Sequence, residues 1–248
     1  TDHYAALRAA LDEVATILED AGHRTRVVLD DNALVDRAAA QRAGLGWFGH
    51  NANLLVPGYG SWVVLGSIVT DADLAQSEPV PDGCGTCRRC LDGCPTGAIV
   101  APGIVDARRC LAWLVQAEGT FPMEFREALG DRIYGCDECQ EVCPPARRSP
   151  QAKETIDAPS SWADLLWMLQ AEDSELLSEL GRWYIPRRDP RYLRRNALLA
   201  LGNTADPLSA DVRSEIQKFV VSEGDDDMLQ EHAQWALHRL DERLQAQA

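Results

Sequence analysis

Leu7, Leu11, Val14 and Leu18 recur at three- and four-residue spacing, the period that lines one face of a helix, and they predict a helix over 4–21. Extended character follows. Arg26–Asp30 reads as a short strand and Leu34–Ala43 as a helix. Asn53–Val56 and Trp62–Thr70 read as strands around the Pro57-Gly58-Tyr59-Gly60 turn. This front region is α/β in character and ends near the two prolines of Ser77–Asp82. From residue 161 onward the period is helical, with predicted helices at Trp162–Gln170, Ser174–Leu180, Tyr192–Leu201, Ser209–Ser222 and Met228–Ala246. Trp162, Trp167 and Trp235 fall at helical positions expected to face a core. Asp225-Asp226-Asp227 is expected to open the last helix, where acids complement the helix dipole.

Between these regions the pattern breaks. Residues 83–146 hold all eight cysteines, and 147–160 is a Pro- and Ser-containing linker. A disulfide scaffold would spread its bridges through the fold. Clustering of every cysteine between Cys84 and Cys143, behind a start with no secretory leader, points instead to metal in a reducing, cytoplasmic compartment. The first residue is not Met, so a processed or trimmed piece is expected. No run of about eighteen apolar residues is present, so no membrane span is expected. Net charge is −15, which repels nucleic acid on average; any RNA contact must come from a local basic patch.

The first cysteine motif is Cys84-x2-Cys87-x2-Cys90-x3-Cys94-Pro95, the bacterial ferredoxin run. Three thiolates spaced two residues apart reach three corners of one cube from a single turn, and the fourth points to another cluster. The second motif, Cys136-x2-Cys139-x3-Cys143-Pro144, looks like the same run with its first cysteine displaced to Cys110. The crossing rule then gives one [4Fe–4S] cluster on Cys84, Cys87, Cys90 and Cys143, and a second on Cys94, Cys110, Cys136 and Cys139. Paired Cys-x2-Cys also fits structural zinc, but zinc rarely needs a third cysteine at the same spacing followed by Cys-Pro. Two clusters side by side form an electron wire, which must end at an acceptor.

The acceptor is suggested by a resemblance. Gly44-Leu45-Gly46-Trp47-Phe48-Gly49-His50-Asn51, Leu54-Leu55, Gly60-Ser61-Trp62, Leu65-Gly66 and Thr70-Asp71 resemble the epoxyqueuosine reductase family. So do Cys94-Pro95-Thr96-Gly97-Ala98-Ile99, Asp106-Ala107-Arg108-Arg109-Cys110 and Arg132-Ile133-Tyr134-Gly135-Cys136-Asp137, and so do Arg195-Asn196-Ala197 and Leu201-Gly202-Asn203. The resemblance spans nearly the whole chain. It implies a cobalamin bound base-off as cob(II)alamin, fed with electrons by the clusters. It also implies removal of the epoxide oxygen of epoxyqueuosine at the wobble base of tRNA, giving queuosine, with an external low-potential electron donor. The family's proton donor falls on Asp30, with Asp31 its immediate neighbour. Opening an epoxide leaves an alkoxide that needs a proton, and a carboxyl group desolvated in a cofactor pocket would keep one. Without the resemblance, Asp30 reads as a cap for the helix near Leu34. Asp30, Leu65 and Asp137 are implied cobalamin contacts, and Arg37 an implied substrate contact that otherwise reads as a surface residue. The chain departs from the family in starting well inside its pattern and in having His50 where Lys is common.

Arg182–Arg195 carries arginines at 182, 187, 188, 191, 194 and 195 with one acid, Asp189, and interleaves Trp183 and Tyr184. Guanidinium groups suit phosphate, and an aromatic can stack on an unpaired base; the bland reading is a solvated helix face. The resemblance favours tRNA, with Arg187, Arg188, Arg191, Arg194 and Arg195 as contacts. The expected fold is α+β in three parts: an α/β cobalamin-binding region over 1–82, a two-cluster ferredoxin-like domain over 83–146, and over 147–248 a linker and HEAT-like helical domain, for which no repeat period emerges. The expected protein is a monomeric oxidoreductase. The alternatives are a ferredoxin-like electron-transfer module and a dehalogenase-like cobalamin reductase acting on a small substrate.

Overall fold

The computed structural model describes residues 3–149, 162–221 and 226–247. Its elements run α1 (His3–Asp20), β1 (Thr25–Val28), α2 (Asp36–Arg42), β2 (Trp47–Phe48), β3 (Leu54–Leu55), β4 (Ser67–Thr70), α3 (Arg89–Asp92), β5 (Ile99–Ala101), β6 (Ile104–Val105), α4 (Leu111–Leu114), α5 (Arg126–Leu129), α6 (Glu138–Glu141), α7 (Pro144–Arg147), α8 (Leu165–Gln170), α9 (Asp173–Leu180), α10 (Arg191–Thr204), α11 (Ala210–Val221) and α12 (Asp227–Gln245). The result is a helix-rich mixture of helix and sheet. It divides into two compact units. One comprises the described parts of Thr1–Cys94, Ile99–Val105 and Glu138–Ile156; the other comprises the described parts of Pro95–Ala98, Asp106–Asp137 and Asp157–Ala248. Both units draw on the cysteine segment.

In the first unit α1 packs on the antiparallel pair β1–β4, with Thr25 opposite Thr70 and Val28 opposite Ser67. Leu7, Leu11 and Leu18 turn inward with Ala15, whereas Val14 is 48% exposed and lies off the predicted stripe. The helix approaches closely because Gly66 has no side chain: a Cβ there would stand 2.6 Å from Leu11 Cδ1 and 3.0 Å from Leu29 Cδ1. Of the strand expected over Trp62–Thr70 only Ser67–Thr70 pairs, since β1 offers four residues to pair with. The sheets of this region, β1–β4 and β2–β3, are both antiparallel pairs. A parallel α/β sheet needs a strand–helix–strand crossover, and the path from β1 to β4 returns in the opposite sense. In the pair β2–β3, Trp47 to Leu55 and Phe48 to Leu54, β3 falls inside the strand read over Asn53–Val56, whereas β2 gives no sequence signal because two residues cannot show alternation.

The second unit is built around α10. Leu193, Ala197, Leu198, Leu199, Ala200 and Leu201 are all buried, so apolar residues face inward around the whole helix. α8 and α12 pack against it, and α11 packs on α12. Gly202 meets Ala236, where a Cβ would come within 2.9 Å of Ala236 Cα, which permits the close crossing of α10 and α12. The five predicted helices appear within a few residues of their expected ends. Trp167 and Trp235 pack against the core. Trp162, expected there too, is instead 73% exposed because the helix begins only at Leu165, behind the Asp164 cap. Asp226 caps α12 by accepting from the Leu229 amide at 3.1 Å; Asp225 and the end of the linker lie outside the described residues. No helix among the described residues is long and apolar enough to cross a membrane.

Candidate functional site

Cys84, Cys87, Cys90 and Cys143 line one cavity of about 160 Å³ in the first unit, with His50, Asn51 and Leu55 on its wall. Local chemistry holds each cysteine. Asp82 accepts from the amides of Cys84 at 3.1 Å and Gly85 at 3.2 Å, and the Cys87 amide closes a turn on the Cys84 carbonyl. Gly85, at φ 51°, supplies the left-handed backbone which that turn requires. Cys90 rides on the single turn α3. Cys143 stands immediately before α7, where Pro144 occupies the first helical position. Gly60, at φ 64°, sits so close to Ala146 that any side chain would collide with its backbone, which seats α7 on the Val56–Gly60 turn.

The electrostatics mark these sulfurs as a set. Burial first, and then the neighbouring Cys143 and Cys84, push the Cys90 thiol up to about 11. Cys143 is raised by burial, then by Cys84 and Cys87. Thiols so placed ionise at neutral pH only against a cation. Among the described residues no three Cys, His, Asp or Glu side chains converge closely enough to hold a single ion. A cube distributes its four thiolates over four irons, so its ligands surround a volume and need not converge on a point. Two side chains that the sequence did not single out for this role bind the cysteine segment. Trp47 donates its indole N–H to Cys84 Sγ at 3.4 Å, and His50 donates Nδ1–H to the Cys87 carbonyl at 2.8 Å. The four remaining cysteines divide between the units, Cys94 and Cys139 in the first and Cys110 and Cys136 in the second.

Asp30 is exposed, on the loop after β1, with a left-handed φ of 51° that a non-glycine residue adopts only at some cost. It caps no helix. α2 begins at Asp36 without a side-chain cap, while Asp31 accepts from the Ala33 amide at 2.8 Å in the turn between. The Tyr4 phenol is raised by burial and then by the charges of Asp30 and Asp36. Asp36 Oδ1, Ser61 Oγ and Trp62 Nε1 are buried without a partner among the described residues. Leu65 is half-buried in the same unit, and Asp137 is exposed in the other. Arg37 does not project freely: it donates to the Ala52 carbonyl at 2.5 Å.

The basic stretch divides sharply. Arg195 is fully buried, donating to the carbonyls of Leu114, Val115, Ala117 and Gly119 and to Asn196 Oδ1, and so caps the end of α4. It cannot reach a phosphate, because its guanidinium already serves the chain's own carbonyls. Arg194 is withdrawn too, its side chain 11% exposed between the Ala171 carbonyl and Asp173. Arg191 is exposed but clamped by Asp189 and Asp226. Arg187 and Arg188 remain at the surface, on consecutive residues with φ of 53° and 57°. Trp183 stacks on Tyr134 at 4.7 Å and is not free for a base, whereas Tyr184 is 66% exposed.

Comparison with known proteins bears on both units. Residues 83–146 match the 4Fe-4S double cluster binding domain. The chain is 38% identical over 216 residues to an epoxyqueuosine reductase of Vibrio cholerae, covering 86% of this chain and 57% of that protein. It is 37% identical over 251 residues to one of Lactococcus garvieae, covering 98% and 69%. A solved epoxyqueuosine reductase with a tRNA-Tyr epoxyqueuosine-modified stem loop superimposes with a TM-score of 0.84 at 34% identity, over 96% of this chain and 64% of that one. The Bacillus subtilis structure with its catalytic aspartate loop swung out of the active site gives 0.81 at 33%, over 96% and 64%. The chain thus spans between about half and two thirds of these proteins.

Proposed function

The chain belongs to the epoxyqueuosine reductase family, and on that premise we propose that it reduces epoxyqueuosine to queuosine in tRNA as an oxidoreductase. The observation that carries the reading is the four-cysteine cavity inside a chain that matches the family through the helical region as well as the cysteine segment. A bare ferredoxin-like module would have no need of the second unit, and nothing favours a small-molecule dehalogenase.

Cys84, Cys87, Cys90 and Cys143 would hold one [4Fe–4S] cluster, with Trp47 donating to one of its thiolates. The crossing rule of the sequence assigns the second to Cys94, Cys110, Cys136 and Cys139. The clusters supply single electrons, and cobalamin, when bound, supplies reduction at carbon. The unpaired Ser61 Oγ, Trp62 Nε1 and Asp36 Oδ1 call for a polar partner in the region of Leu65 and Asp30, which fits the cofactor face the family implies; Asp137 is the third expected contact. Asp30 would deliver the proton to the alkoxide left when the epoxide opens. Its exposed position on a strained loop agrees with the catalytic aspartate loop of the Bacillus subtilis relative, which can leave its active site. Of the expected contacts, Arg188 is exposed without an acid partner among the described residues and is left to meet the tRNA together with Tyr184, while Arg187 would have to exchange Glu118 for phosphate, on a ferredoxin-like and HEAT-like framework.

Full-length protein, loaded with iron, sulfide and cobalamin and given a chemical reductant, is expected to convert epoxyqueuosine to queuosine in tRNA, followed by nucleoside mass spectrometry. Asp30→Asn is expected to slow turnover by about a hundredfold or more. Intact clusters with no product would refute the activity.

A further inference from the structure

We propose that the arginines around the Cys84–Cys143 cavity form the docking surface for a small acidic one-electron carrier protein. The inference rests on the cluster assignment above. Arg89 and Arg148 line the same cavity as the four cysteines. Arg88 and Arg147 adjoin them in the chain, and all four are exposed. None makes an ion pair with a described residue. Most arginines elsewhere are engaged: Arg24 with Asp71, Arg108 with Asp106, Arg126 with Glu231, Arg187 with Glu118, Arg213 with Asp241. The nearby acid Asp82 has committed its carboxylate to the Cys84 and Gly85 amides, and Asp92 is the acid on α3.

Four arginines without an ion pair among the described residues, two of them lining this cavity and two adjoining these in the chain, are notable on a chain of net charge −15, even with Asp92 on α3 and Glu138 and Glu141 on the α6 helix packed against it. Such a chain repels an acidic partner over most of its surface, so a local cationic rim would both attract the partner and fix where it lands. The location selects the partner class. Electron transfer falls steeply with distance, so a donor must dock where a cluster lies close to the surface, and Arg89 and Arg148 line such a cavity. Carrier complexes are small and weak, and charge steering suits them. RNA is served by the Arg187–Arg188 segment in the other unit. In the step itself the carrier would be oxidised by one electron, and the cluster held by Cys84, Cys87, Cys90 and Cys143 would accept that electron, with no proton transferred.

The probe is an acidic plant-type [2Fe–2S] ferredoxin, titrated calorimetrically into holoprotein. Binding is expected to weaken as salt rises. Replacing the four arginines by Gln is expected to weaken it by about tenfold or more, while four Lys replacements retain it. Affinity for an anticodon stem loop should not change in the Gln variant. Iron content and the dithionite-reduced EPR signal report whether each protein still carries its clusters. Salt-independent or absent ferredoxin binding by wild type with a normal EPR signal overturns the docking surface and leaves the cluster assignment standing. Loss of RNA affinity with ferredoxin binding unchanged gives the patch to RNA and also overturns it. Absence of any dithionite-induced signal in wild type overturns the cluster assignment instead.

Discussion

Trp47 places an indole N–H 3.4 Å from Cys84 Sγ, and a hydrogen bond to a cluster sulfur favours the more negative, reduced state. Trp47→Phe is therefore expected to lower the midpoint potential of one cluster and leave the other unchanged, as read by EPR-monitored redox titration. The cysteines were legible in the sequence because their chemistry is local: a Cys-x2-Cys-x2-Cys run is set by one turn of chain. Trp47 was not legible in this role, since 37 residues separate it from the sulfur it serves. Arg195 was misread for a related reason. Sequence displays its charge but not the carbonyls of Leu114, Val115, Ala117 and Gly119 that fold around it.

At the scale of elements, the helices of the second unit were legible from their period, and the antiparallel pairing of β1 with β4 was not. Pairing direction depends on how the intervening chain travels, and four-residue strands carry no mark of it. One helix also carries a pH response. His232 on α12 is fully buried, accepts at Nε2 from the Phe121 amide at 3.1 Å, and donates Nδ1–H to the Met228 carbonyl at 2.6 Å. Burial lowers its pKa from 6.5 to about 4, with the nearby Arg126 charge acting in the same sense. The unfolded chain therefore binds a proton at this site that the folded chain refuses. Stability from this group is full above pH 6.5 and is lost as pH falls towards about 4, by up to about 3 kcal/mol. Urea denaturation at pH 7 and 5.5 should show the loss, and His232→Gln should flatten it over that interval. Asn196 acts structurally, donating to the Val115 carbonyl at 2.8 Å and the Ile133 carbonyl at 3.0 Å. Asn196→Ala takes the donor from the Ile133 carbonyl and one of two donors from the Val115 carbonyl, which Arg195 still serves, and is expected to cost about 1–3 kcal/mol, visible as a lower Tm.

For the molecule as a whole, the division into two units follows neither end of the cysteine segment. Residues 106–137 belong with the C-terminal helices, and 138–149 with the N-terminal region. A fragment limited to 83–146 is thus expected to bind less iron than the whole chain, because Cys110 and Cys136 lose the helix that braces their loops; iron assay of the two proteins checks this. The bracing has a temporal side. A ribosome makes Val115 long before Asn196, which lies 81 residues further on. While synthesis proceeds, Cys110 and Cys136 emerge without the helix that will fix their surroundings. On the proposed cluster assignment, iron delivery to that pair would follow synthesis of Asn196, and a cell that starves its delivery machinery should accumulate a translated, metal-poor form.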